Sequence, residues 1–191
     1  MQRVCVFLGS SPGKDAAYKQ AAIDLAEALV EKKLTLVYGG SDIGLMGILA
    51  DAVLDCGGQV VGVIPEWFVS REVSHDNLTQ IHIVQSMHER KAKMAGLSDG
   101  FIAMPGGLGT FEELFEVWTW AQLGFHDKPC GLLNVAGYYD SLLDFLDRAV
   151  EQGFVRSEHR HMMAVEARPG ILLQRLMHYQ SEQVDKWIDR T

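Results

Sequence analysis

Short runs of consecutive apolar residues alternate along this chain with longer stretches in which apolar positions recur every three or four residues. The short runs predict strands at Val4–Leu8, Thr35–Tyr38, Val60–Ile64, Ile81–Val84, Phe101–Met104, Gly131–Asn134 and Met163–Val165. The longer stretches predict helices at Ala16–Glu31, Gly44–Cys56, Met87–Ser98, Gly109–Leu123 and Tyr139–Gln152, with a last one running from Pro169 towards the C-terminus. Gly57 and Gly153 stand where helices stop. Strands that lack polar alternate positions are buried on both faces, and their alternation with helices predicts a doubly wound α/β fold with a mostly parallel sheet. No linker, low-complexity tract or repeat divides it, so residues 1–191 are expected to form a single domain. Pro65–Gln80 is polar, irregular and long for a connection, which marks it as a candidate functional loop.

With 191 residues, 48% of them hydrophobic, the chain can bury one sizeable core. The net charge of −8, with no block of Lys or Arg, argues against a nucleic-acid surface or a patch for anionic membranes. Positive charge for a bound anion must then be local. Cys5, Cys56 and Cys130 are odd in number, far apart and set in apolar runs, so they are expected to be reduced core thiols. His159 and His161 fall on different sides of a helix and lack a nearby third ligand, which favours a loop or surface pair over a metal site. The N-terminal MQRVCVFLGSS turns too soon for a signal peptide, and no apolar run is long enough to span a bilayer. A cytoplasmic protein is the expectation.

Three strands run into glycine turns: Gly9-Ser10-Ser11, Gly39-Gly40-Ser41-Asp42-Ile43-Gly44-Leu45-Met46-Gly47, and Pro105-Gly106-Gly107-Leu108-Gly109-Thr110. In a parallel sheet these turns share the carboxyl edge, where ligands bind as strand order reverses. Without Cβ atoms, turn amides can approach phosphate oxygens closely. A single such turn is explained equally well by tight packing, but three on one rim favour a nucleotide-sized anion. The phosphate-loop pattern G-x-x-x-x-G-K-[ST] is absent, and Gly-Ser-Ser replaces the dinucleotide fingerprint G-x-G-x-x-G. A nucleoside monophosphate in a Rossmann-like domain is the economical reading.

Two charged residues sit where apolar ones are expected. In MHERKAKMAGLS, Arg90 shares a helical stripe with Met87, Met94 and Leu97. A buried guanidinium needs an anion beside it, a carboxylate or a ligand, unless its side chain snorkels out to solvent. In the helix from Gly109, Phe111, Leu114, Phe115, Trp118 and Gln122 mark the expected core face. Glu112 and Glu116 are accounted for by the dipole at a helix start. Glu113 is accounted for less well, because its stripe continues into Val117 and Trp120, an apolar second face that suggests a partner surface over cover by a neighbouring helix of the same chain.

SMHERK followed by PGGLGTFEE, together with GSS at Gly9–Ser11, GGSDIGLMG at Gly39–Gly47, VIP at Val63–Pro65 and EVWTWAQLGFHDKP at Glu116–Pro129, resembles the LONELY GUY (LOG) family. These are cytokinin riboside 5′-monophosphate phosphoribohydrolases, and the similarity spans nearly the whole chain. The resemblance implies hydrolysis of an N-glycosidic bond of N6-modified adenosine 5′-monophosphates, without cofactor or metal, by the catalytic pair Arg90 and Glu113. It implies substrate contacts from Ser10, Glu72, Lys91, Gly107, Leu108, Gly109, Thr110 and Thr119 as well, and a homodimer with the active site near its interface. Ser41 stands where many relatives have a third glycine. The older family label of lysine decarboxylase meets no pyridoxal-phosphate context here. Two other readings stay open: an AMP nucleosidase with no cytokinin preference, and a carrier that binds nucleotides without cleaving them. Trp67 and Phe68 are expected either to shape a base pocket or to anchor the core.

Overall fold

The computed structural model describes residues 1–69 and 74–180. In chain order its elements are β1 (Arg3–Phe7), α1 (Ala16–Glu31), β2 (Thr35–Tyr38), α2 (Gly44–Asp55), β3 (Val60–Pro65) and α3 (Glu66–Val69). There follow β4 (Gln80–Val84), α4 (Met87–Leu97), β5 (Gly100–Ala103), α5 (Leu108–Gln122) and β6 (Cys130–Leu133). A single 3₁₀ turn (Val135–Gly137), α6 (Asp140–Glu151), α7 (Ser157–His161), β7 (Met163–Glu166) and α8 (Pro169–Met177) complete it. The seven strands form one sheet in the order β4-β3-β2-β1-β5-β6-β7, with every pairing parallel.

Six of the strands feed two cores at once, while the edge strand β4 contributes only Val84 and leaves Ile81 and Ile83 exposed. Val4 and Val6 pack with α1, α2 and α8 on one side, while Cys5 and Phe7 pack with α4 and α5 on the other. Ile102 against Phe101 and Ala103, and Leu133 against Leu132, divide in the same way. The period of two is present but hidden, because both faces are apolar. All seven predicted strands form, each within a residue or two of its expected bounds. The strand order reverses between β1 and β5, so the turns after these strands meet there: the Gly9 amide donates to the Pro105 carbonyl at 3.2 Å. Gly106 makes that approach possible, since a Cβ on it would lie 2.1 Å from Thr110 Oγ1 and 2.9 Å from the Gly9 nitrogen.

Four local expectations are corrected. The buried stripe of α5 is Thr110, Glu113, Leu114, Val117 and Trp118, while Phe111 and Phe115 are only half-buried. Thr110 wedged against Gly106 turns the helix about its axis, so Val117 belongs to the core of its own chain and Trp120 packs beside that core, half-exposed. Cys5 and Cys130 are buried, but Cys56 caps the end of α2 and is exposed. His159 is not on the surface. The five-residue α7 carries it inward to 2% exposure, and its carbonyl accepts the Trp118 indole N–H at 3.0 Å. Part of the predicted loop after β3 is helical, as α3, and Ser74 and His75 tie its far end to the turn after β2. Ser74 bridges Ser41, the His75 amide donates to the Gly40 carbonyl at 3.0 Å, and the His75 ring meets Asp51 at 2.9 Å.

Candidate active site

A cavity of about 500 Å³ opens at the carboxyl edge of the sheet, floored by Leu8, Gly39 and Ile64. On one side stand Arg90 and Met87 from α4, and on another Gly107–Thr110, Glu112 and Glu113 from the start of α5. Ser10 and Ser41 reach it from the turns after β1 and β2, and Trp67 and Phe68 from α3. Trp67 and Phe68 meet edge to face with centroids 4.8 Å apart and line the cavity, so both serve its wall and neither is buried.

Arg90 owes its place to helix entry and to strand ends. Ser86 Oγ accepts the Glu89 amide at 3.1 Å, and Glu89 accepts the Gln85 amide at 2.8 Å. This reciprocal cap fixes where α4 begins and which way its first turn faces. The guanidinium then donates through Nε to the Val63 carbonyl and through Nη2 to the Gly39 carbonyl, both at 3.0 Å. Those carbonyls belong to β3 and to the turn after β2, so two strand ends aim one cation. Its remaining nitrogen, Nη1, lies 3.7 Å from Glu113 Oε1, within ion-pair range and too far for a hydrogen bond. Glu113 is 9% exposed. Burial raises its carboxyl pKa to about 7, against the pull of Arg90 and with a further push from Glu112. Desolvation outweighs the guanidinium because the pair is not in direct contact. A carboxyl balanced near neutrality beside a fixed cation can exchange a proton or stabilise a neighbouring positive charge.

α5 starts at Gly107 with no side-chain cap, next to the cavity. An uncapped helix start leaves its first amides for a ligand. The structure therefore brings Ser10, Arg90, Gly107, Leu108, Gly109, Thr110 and Glu113 to one cavity. It does not bring Lys91 or Thr119 there. Lys91 is buried behind the wall, where its ammonium binds Glu112 and, at 3.0 Å, Glu116. Thr119 is exposed, nearly two turns further along α5. Glu72 lies outside the described residues. Sequence reasoning did not find Gly39 and Val63 as holders of Arg90, because a backbone carbonyl leaves no trace in residue type. Ser41, flagged only as a departure, lines the cavity and accepts the Ile43 amide at 3.4 Å.

Residues 46–176 match the family model described as "Possible lysine decarboxylase". A probable cytokinin riboside 5′-monophosphate phosphoribohydrolase of Oryza sativa subsp. japonica is 51% identical over 189 residues, 99% of this chain and 77% of that protein. A cytokinin riboside 5′-monophosphate phosphoribohydrolase of Arabidopsis thaliana is 52% identical over 178 residues, 93% of this chain and 84% of that one. Among solved structures, the molybdenum cofactor carrier protein of Chlamydomonas reinhardtii superposes with a TM-score of 0.69 over 93% of this chain and 99% of its own. Its sequence identity is 19%, so the likeness is one of fold alone. The half-identity to the phosphoribohydrolases across nearly the full chain decides the matter: the chain belongs to the cytokinin riboside 5′-monophosphate phosphoribohydrolase (LOG) family.

Proposed function

We propose that this protein hydrolyses the N-glycosidic bond of N6-modified adenosine 5′-monophosphates, releasing the free base and ribose 5-phosphate. The observation that carries the reading is that the Arg90–Glu113 ion pair and the uncapped start of α5 line one cavity, with Arg90 on the wall across from that helix start. The 5′-phosphate is taken by the first turn of α5, Gly107 to Thr110, with Ser10 beside it; helix amides favour a doubly charged anion at that point. The ribose then lies against Glu113. As the bond between C1′ and N9 breaks, positive charge grows on the sugar and negative charge on the base. The Glu113 carboxylate stabilises the sugar cation and orients a water, taking its proton as the oxygen joins C1′. The Arg90 guanidinium, aimed by its two carbonyls, donates a hydrogen bond from Nη1 that stabilises the negative charge on the departing base, and the proton that Glu113 took from the water passes to the base nitrogen.

Decarboxylation by a pyridoxal cofactor would need a lysine in the cavity to form the Schiff base. No lysine lines it among the described residues, and Lys91 is turned away between two carboxylates. Metal and cofactor have no part in the proposed reaction. Thr119 faces away from its own cavity, so a contact with nucleotide requires a second copy of the chain; we place the active site near a homodimer interface. No helix among the described residues is long and apolar enough to cross a membrane, and a cytoplasmic nucleotide pool supplies the substrate in this reading.

The test is release of base from AMP, from isopentenyladenosine 5′-monophosphate and from the two corresponding nucleosides. Both nucleotides are candidates for cleavage, the modified one faster, with the nucleosides barely touched. Equal rates on nucleotide and nucleoside would remove the phosphate from the mechanism. Binding without release of any base would make the protein a carrier.

A further inference from the structure

The acidic wall of the cavity is more crowded than the reaction needs. Glu112 precedes Glu113 by one residue and Glu116 follows it by three, so three carboxylates share the opening turns of α5. Glu113 is buried among them, and like charges at that spacing oppose its ionisation. Across from them, α4 presents two consecutive cations. Arg90 faces the cavity, and Lys91 does not line it. The Lys91 side chain is 8% exposed, less than the 12% of the Arg90 side chain beside it. Its ammonium donates to Glu112 Oε1 and to Glu116 Oε1, the latter at 3.0 Å. A phosphate reaching this ammonium would have to displace a carboxylate from a nearly closed site. Two bridges thus join the same pair of helices side by side: Lys91 to Glu112 and Glu116, and Arg90 to Glu113.

We propose that Lys91 is a positioning residue, whose ammonium clamps α4 to α5 and partly offsets the charge of Glu112 and Glu116, leaving Glu113 to act with Arg90. It works through Glu113 and touches no substrate. The inference rests on the reading that Arg90 and Glu113 act on the nucleotide. Burial acts to lower the Lys91 ammonium, and the hydrogen bonds to Glu112 and Glu116 outweigh it, so the cation is held charged. Lys91 and its two carboxylate partners also act on Glu113 directly, the first lowering its pKa and the others raising it.

The experiment measures kcat and KM on isopentenyladenosine 5′-monophosphate across pH for the parent protein, Lys91→Met, Lys91→Arg, Glu116→Gln and Glu113→Gln, with melting followed by circular dichroism. Lys91→Met should lower kcat by about tenfold or more through misplacement of the pair, with KM within about threefold. Its acidic limb of kcat/KM should move to higher pH by about half a unit or more, because two uncompensated carboxylates then face Glu113. Lys91→Arg should bring the limb back towards the parent. Glu116→Gln should move it the other way, to lower pH, which a purely structural clamp would not do. A KM raised about tenfold in Lys91→Met with kcat kept would make Lys91 a substrate contact and overturn the proposal. An unmoved limb in both Lys91→Met and Glu116→Gln would overturn it as well. If Lys91→Met does not fold, Lys91→Arg and Glu116→Gln decide on the limb alone. Parent-like turnover in Glu113→Gln removes the catalytic reading itself, whereas an inactive Glu113→Gln beside a parent-like Lys91→Met removes only the role of Lys91.

Discussion

Adding one methyl group to Gly39 should disable the site while leaving the fold in place. The backbone at Gly39 is outside the left-handed region, unlike that of Gly40 at φ +76°, so alanine suits its conformation. What alanine does not suit is the guanidinium. A Cβ at Gly39 would lie 1.8 Å from Arg90 Nη2 and 3.0 Å from its Cζ, with Met46 Sδ at 3.3 Å. Ordinary contact begins at 3.4 Å, so the guanidinium must retreat by roughly 1.6 Å. It then forfeits the bond to the Gly39 carbonyl, a charge-assisted hydrogen bond of the class that contributes about 1.5–3 kcal/mol. A displacement of that order at a reacting group costs about 10²-fold in rate. The cavity gives the displaced side chain room, so overpacking should cost stability only at the lower end of the usual ~1–3 kcal/mol. The assay is base release under saturating nucleotide, alongside thermal melts. Gly39→Ala should lose about 10²-fold in kcat with KM little changed, because the proposed phosphate site, the start of α5, is on the opposite wall. A Gly39→Ala protein that keeps kcat within about threefold of the parent would show that the position of Arg90 is not critical.

Glu113→Gln and Arg90→Ala should abolish turnover in folded protein while Glu112→Gln retains much more; the reverse order of Glu113 and Glu112 would reassign the carboxylate. In the proposed mechanism the ionised Glu113 is the working form, and burial raises its pKa to about 7, so kcat/KM should fall about tenfold per unit of pH below that value and level off above it. The same raised pKa makes the buried carboxyl stabilising in its protonated form, a contribution lost as pH rises through about 7. Glu113→Gln should therefore melt higher than the parent at about pH 9, by the equivalent of ~3 kcal/mol, and not at about pH 4; identical melting curves at the higher pH would contradict the burial argument. Sedimentation should find a homodimer, and Trp120→Arg should weaken it and lower activity together. Since Trp120 also packs beside its own core, a thermal melt must show the variant folded, and a fully active monomer would end the dimer reading.

The inner strands could be read from sequence because burial on both faces writes them as unbroken apolar runs, unlike the edge strand β4, whose Ile81 and Ile83 are exposed. The glycine turns, Arg90 and Glu113 stood out because each breaks a local rule: glycines too many for turns, a cation and an acid each in an apolar stripe. The dipole account of Glu112 and Glu116 fails, since no acid lies in the first turn of α5 and both pair with Lys91 instead. Other features depended on contacts that sequence spacing does not contain. The rotation of α5 is set by Thr110 against Gly106, and the aromatic weight of Phe111 and Phe115 pointed to the neighbouring face. Lys91 looks like any solvated helix lysine until α5 supplies two carboxylates from more than twenty residues away. His159 is buried by a helix of five residues, too short to announce itself through periodicity.

The bonds that aim Arg90 carry a consequence for how the protein acquires its activity. The guanidinium reaches a carbonyl 27 residues earlier in the chain and another 51 residues earlier, and its acidic counterpart arrives on the following strand–helix unit. Together those contacts exist only when β3, β2, β1 and β5 already lie side by side in the parallel sheet, an arrangement built from slow, non-local chain closures. The Arg90–Glu113 pair of the proposed mechanism is thus assembled from separate strand–helix units. During refolding, recovery of base release should trail the recovery of helical signal, so that turnover itself becomes the reporter of a completed sheet.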